Sequence, residues 1–153
     1  MANTYSQVHL HFIFATKFRT SSIDENWEND LYKYITGIVQ KNKSKMLCIN
    51  GMPDHVHMLI GFDTILSMGE IMQDVKAGSS KWINDKKFTR GRFEWQSGYG
   101  VFSYTKSHVP SVIRYIQKQK EHHRKKTFLQ EYRHFLDKFE VEYNDKYIFK
   151  RPE

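Results

Sequence analysis

Two histidines flank a valine at His55-Val56-His57, directly after the turn-forming pair Pro53-Asp54. On a strand, residues two apart point to the same face, so these imidazoles could hold one metal ion together. Further along, Tyr115 and Gln119 stand four apart in a basic stretch. On a helix such residues are stacked neighbours and can lean into one site. Two imidazoles, an amide oxygen and a phenol suit metal-assisted attack on a phosphodiester. A phenol with a pKa near 10 is a poor nucleophile unless it is assisted. A metal ion would polarise the scissile phosphate and neutralise developing charge. The donor set could take Mg²⁺ or Mn²⁺, and the softer Mn²⁺ suits imidazole better. A tyrosine nucleophile would keep the phosphodiester energy in a covalent bond, so that strands could be rejoined without ATP. The Asp/Glu cluster of a two-metal nuclease is not evident.

Each signal has a plainer reading. An H-x-H pair arises by chance in a chain with eight histidines, and His9-Leu10-His11 repeats the spacing. His9 could approach the site from a neighbouring strand, and His11 is left without a role. Tyr115 could be an ordinary core aromatic. However, Val109, Val112, Ile113 and Ile116 cluster on one helical face, which puts Tyr115 and Gln119 on its flank. His122 lies on the same flank and His123 nearer the apolar face. Solvation is the simpler reading for both, contact with nucleic acid the alternative.

Positioning these groups requires a sheet. Val8, Leu10, Phe12 and Phe14 alternate with less apolar partners, as in a strand. Ser22 and Glu25 form a capping-box pattern ahead of Trp27, Leu31, Tyr34, Ile35, Ile38 and Val39 at helical spacing. Strands over 45–50 and 55–62 make a hairpin about Gly51-Met52-Pro53-Asp54. Ser67 and Glu70 open a second helix with Ile71, Val75, Trp82 and Ile83. Strands over 93–96 and 101–104 make a second hairpin about Ser97-Gly98-Tyr99-Gly100. A third helix starts near Ser107, with Pro110 tolerated in its first turn. Phe128, Tyr132, Phe135, Leu136 and Phe139 predict a fourth, while the aromatic tail from Tyr143 to Phe149 is left unassigned. The order matches an α+β, ferredoxin-like (RRM-like) split-βαβ sheet with extra C-terminal helices. In such a sheet the first and third strands are central neighbours. Val56, Met58 and Ile60 would then lie under two helices, with His55 and His57 on the opposite face beneath the third.

The length of 153 residues fits a single domain, residues 1–153. No signal-peptide profile or membrane-spanning apolar run is evident. The lone cysteine, Cys48, excludes an intrachain disulfide or a zinc-thiolate cluster and suits a cytoplasmic location. The formal charge of +7 suggests a polyanionic partner. Arg114, Lys118, Lys120, Arg124, Lys125 and Lys126 face only Glu121 among acids, which makes them candidates for DNA contact. A second cluster, Lys76, Lys81, Lys86, Lys87, Arg90 and Arg92, faces only Asp85. Aromatic residues interleave with these cations, as in grooves that bind single-stranded nucleic acid.

Five ordered blocks carry a family likeness. They are His9–Arg19, Met52–Leu59, Lys76-Ala77-Gly78-Ser79-Ser80, Phe93–Gly100 and Tyr115–His123. On these blocks the chain resembles the single-tyrosine HUH transposases of the insertion-sequence 200/605 family over roughly residues 5 to 140. The resemblance implies that His55, His57 and Gln119 are metal ligands and that Tyr115 is the nucleophile. It implies action on single-stranded DNA with hairpin ends, a 5′-phosphotyrosine intermediate, a free 3′-OH and a homodimer. In such dimers the tyrosine helix can come from the partner. A host-adopted nuclease that processes chromosomal repeats would share these residues. A non-catalytic RRM-like module would instead show stacking aromatics on the sheet face. Replication and conjugation nickases share the chemistry but are usually embedded in longer proteins.

Overall fold

The computed structural model describes residues 4–144. Four strands and five α-helices follow one another as β1 (His9–Ala15), α1 (Glu25–Lys41), β2 (Lys45–Met52), β3 (His55–Gly61), α2 (Met68–Lys86), β4 (Gly100–Tyr104), α3 (Val109–Gln117), α4 (Gln119–His122) and α5 (Phe128–Lys138). The strands pair in the order β2-β3-β1-β4, all antiparallel. This is the expected split-βαβ sheet with β1 and β3 at its centre. Most of the segment from Tyr143 to Phe149 lies outside the described residues.

The period-2 pattern of the central strands sorts their side chains. Leu10, Phe12 and Phe14 of β1 join Val56, Met58 and Ile60 of β3 on one face, packed against Leu31, Ile35, Ile71 and Val75 of α1 and α2. The opposite face is covered twice. Ile13, Ala15 and Phe102 pack beneath Phe128, Tyr132, Phe135 and Leu136 of α5, while Leu59 meets Val112 and Ile116 of α3. Two helices therefore roof the histidine face, where one was expected.

Local chemistry sets the helix ends. Ser67 and Glu70 form the predicted capping box at α2, and Thr127 with Gln130 makes a second one at α5. At α1 the cap is Asp24, which accepts from the Asn26 N–H, and not the Ser22/Glu25 pair. The helix carrying Tyr115 is not continuous. It breaks at Lys118 (φ −97°, ψ 20°) and resumes as the single turn α4, so Tyr115 and Gln119 fall on successive helices.

The hairpin expected across 93–104 is absent among the described residues. Only Gly100–Tyr104 is a strand, and Trp95 forms an isolated bridge with Thr16. Side chains of α2 hold the preceding loop in place. Lys76 Nζ donates to the Gln96 and Gly98 carbonyls at 2.8 and 2.5 Å, and the Trp95 indole donates to Ser79 at 2.9 Å. Asn84 exchanges two hydrogen bonds with the Phe93 backbone. These tertiary anchors outcompete pairing between 93–96 and 101–104. Gly100 is required for close packing, since a Cβ there would lie 2.6 Å from the Tyr132 ring of the same chain.

Candidate active site

His55 and His57 are fully buried on β3, next to Ala15 and Ile13 of β1 respectively. Their Nδ1 atoms are engaged from behind. His55 Nδ1 meets Asp54 Oδ1 at 2.6 Å, and His57 Nδ1 meets His11 Nε2 at 2.8 Å. Both Nε2 atoms therefore face the roof formed by α3 and α5. Outer partners of this kind are what orient metal-binding imidazoles. It is His11, fully buried, that reaches the pair, whereas His9 lies at the far end of β1 opposite Gly61.

The group they face is Glu131 of α5, 2% exposed. Its Oε1 lies 2.9 Å from His57 Nε2, 3.4 Å from His55 Nε2 and 3.0 Å from His123 Nε2. Its Oε2 accepts from the Tyr115 hydroxyl and, at 3.0 Å, from the Gln119 amide. Gln119 is fully buried, and its Oε1 lies 3.3 Å from His55 Nε2. His55, His57, His123 and Glu131 present ligand atoms all within 4.8 Å of one another.

The sequence reading missed Glu131 and left His123 to solvent. The imidazole of His123 is 6% exposed and bonded to Glu131. A signal did exist for Glu131, as an acid three residues after Phe128 and four before Phe135 on the apolar stripe of α5. His122 stacks on Tyr115 with ring centroids 4.5 Å apart, and its buried Nε2 has no hydrogen-bond partner.

Burial and charge oppose one another here. Burial would raise the Glu131 carboxyl, yet the charge of His57 and the surrounding imidazole hydrogen bonds hold it far below the carboxylate range. Burial would depress His55, but the Asp54 and Glu131 carboxylates outweigh it and raise the imidazole. His57 is lowered by burial despite Glu131, and His11 falls well below its usual range through burial and then the charge of His57. The Tyr115 phenol is pushed up, first by burial and then by the charge of Glu131. A donor set of imidazoles and one carboxylate, with its outer hydrogen bonds in place, fits a divalent cation.

The candidate DNA contacts separate in space. Arg124, Lys125 and Lys126 line a cleft of about 490 Å³ together with Tyr115, His122 and Glu131. Arg114 and Lys118 are exposed but are not among its walls. Lys120 is tied down by Glu28 at 2.8 Å and the Gly51 carbonyl at 2.6 Å.

A sequence model of the IS200-like transposases matches residues 4–119, and the chain belongs to that family. No curated protein sequence matches the chain. Two solved structures share the fold. One is a candidate transposase from Deinococcus radiodurans R1 (20% identity, TM-score 0.61, covering 78% of this chain and 95% of that one). The other is a REP-associated tyrosine transposase bound to a REP hairpin (12% identity, TM-score 0.60, covering 80% and 73%). Glu131, His122 and His123 lie beyond the matched residues. No helix among the described residues is long and apolar enough to cross a membrane.

Proposed function

We propose that the protein cleaves and rejoins single-stranded DNA through Tyr115. The observation that carries this reading is convergence on one carboxylate: the Tyr115 hydroxyl and the Nε2 atoms of both β3 histidines all meet Glu131. Attack by the Tyr115 oxygen on a backbone phosphorus forms a 5′-phosphotyrosine and releases a 3′-OH. Attack of a 3′-OH on that phosphotyrosine restores a phosphodiester and returns the phenol. His55 and His57, with Gln119 as third ligand and Glu131 as an additional one, would hold Mg²⁺ or Mn²⁺. When bound, the ion supplies charge neutralisation at the scissile phosphate.

The chain's own groups prepare the nucleophile. Glu131 orients the Tyr115 hydroxyl, His122 stacks against its ring, and Arg124–Lys126 line the approach. The phenol seen here is a neutral donor to a carboxylate, so substrate entry must break that bond before attack. The hairpin seen on a structural neighbour supports DNA hairpins as the substrate. Exchange between two element ends needs two nucleophiles and therefore a pair of chains, which is the homodimer of the proposed enzyme.

The RRM-like binding module fits less well. It needs an open sheet face with stacking aromatics, whereas this face carries three buried histidines under α3 and α5. Incubating the protein with a labelled single-stranded hairpin and Mn²⁺, then running a denaturing gel, tests the proposal. Wild type should give a shifted covalent band and Tyr115→Phe none, with binding retained. A band that persists in Tyr115→Phe would assign the attack to another residue.

A further inference from the structure

The cleft beside Tyr115 does not end at the loop that follows α4. A second cleft of about 620 Å³ shares Arg124, Lys125 and Lys126 with it and continues to Arg19, Ser21 and Asp54. A third, of about 710 Å³, shares Ser21 with the second and runs between Lys17-Phe18 and Arg90-Gly91-Arg92. Backbone hydrogen bonds tie this bend to the histidine hairpin, from Thr16 N–H to Asp54 and from Ser22 N–H to Pro53. Arg124–Lys126 of one basic cluster and Arg90 and Arg92 of the other thus open onto one line of clefts that starts at the nucleophile.

Charge along that line is lopsided. Arg90, Arg92, Arg124, Lys125 and Lys126 are exposed. Of the five wall carboxylates Glu121 is exposed, and the other four have partners inside the protein. Asp24 caps α1, Asp54 holds His55, Glu131 holds the imidazoles, and Glu94 pairs with Lys17 at 3.0 Å and with Arg92 at 4.0 Å. The bend itself is strained. Phe18 and Arg19 are successive non-glycine residues in the left-handed region, at φ 57° and 53°. It is held by bonds from the Phe18 N–H to Gln96 Oε1 (3.1 Å), from the Lys17 N–H to the Glu94 carbonyl (3.0 Å) and from the Thr16 hydroxyl to the Thr20 carbonyl (2.6 Å). Strain held in this way concentrates at ligand clamps.

We propose that the three clefts form one trough that carries single-stranded DNA from Tyr115 to a clamp. In the clamp the exposed Arg90 and Arg92 hold phosphates, and the Phe18 ring offers a stacking face. This deepens the DNA-cleavage reading by assigning the strand's path away from the scissile bond.

The test measures fluorescence-anisotropy binding of the full chain and its R90E/R92E variant to two oligonucleotides containing the cleavage site, of about 4 and about 16 nucleotides. The long strand should bind the variant about tenfold or more weakly, with the log–log salt slope falling by about 0.7 for each phosphate that the variant no longer neutralises. The short strand should bind both proteins alike, and Phe18→Ala should repeat the length-selective loss without changing the salt slope. Equal losses on both strands, or no loss on the long one, would overturn the trough. So would a duplex of the same length that showed the same loss. The covalent adduct is read separately. No adduct from wild type, with the length-selective loss still seen in R90E/R92E, would keep the trough and refute the chemistry.

Discussion

Glu131 faces three imidazole Nε2 atoms, a phenol and an amide, so each substitution around it has a distinct consequence. Glu131→Gln keeps the shape but removes the charge that raises His55 and restrains the Tyr115 phenol. Mn²⁺ affinity of the full chain, measured by calorimetry, should fall in Glu131→Gln and be lost in His57→Ala. His11→Ala should be intermediate, about 10–100-fold weaker than wild type, because His11 orients His57 from behind. The two H-x-H pairs are therefore not equivalent, yet His11 is not a bystander. Unchanged affinity in His11→Ala would show that His57 needs no such support. What was legible at this scale was the shared face of His55 and His57, which follows from strand period alone. The Glu131 pairing was not legible, since it spans 74 residues and depends on how α5 lies across the sheet.

At the scale of elements, α5 is both roof and ligand donor. Phe135 stacks on Phe102 at 5.4 Å and meets the rings of His11 and Tyr115 edge-on at 5.3 and 5.5 Å. Truncating such a buried ring typically costs about 3–5 kcal/mol. Phe135→Ala should lower the urea midpoint accordingly and weaken Mn²⁺ binding, although it touches no proposed ligand atom other than through packing. A variant with the lowered midpoint but full metal affinity would show that α5 can loosen without moving Glu131. The helical period of α5 was readable from Phe128, Tyr132 and Phe135. Its role as a second roof was not, because the ferredoxin-like pattern ends before it. The lost hairpin has a similar origin. Phe93 and Trp95 alternate as a strand would, but Lys76, Ser79 and Asn84 on α2 capture that segment first. Lys76→Met should therefore loosen loop 93–98, removing two hydrogen bonds worth about 1 kcal/mol each or somewhat more for a charged donor. Faster amide hydrogen exchange confined to that loop is the expected sign.

For the whole molecule the question is where one active site begins and ends. In this chain α3 packs on its own sheet through Val112, Ile116 and Leu59, and the Tyr115 hydroxyl reaches a carboxylate bonded to His57 of the same chain. Within one chain every group of the proposed site can therefore be met in cis. The edge strand β4 turns its Gly100 toward Tyr132 of the same chain, so that glycine answers to internal packing. A site completed within one chain would make cleavage independent of pairing, while strand exchange would still need two tyrosines brought together. Mixing two inactive proteins separates these cases. Tyr115→Phe keeps the histidines and His57→Ala keeps the tyrosine. If each chain builds its own site, the mixture should form no covalent adduct at any ratio. If the tyrosine helix crossed to a partner, each mixed dimer would hold one intact site, about half of all dimers at equal ratio, and the adduct would reappear in proportion. Wild type diluted until light scattering reports a mass near 18.4 kDa should still form the adduct. Loss of the adduct on dilution, together with its recovery in the mixture, would place Tyr115 in the partner's site.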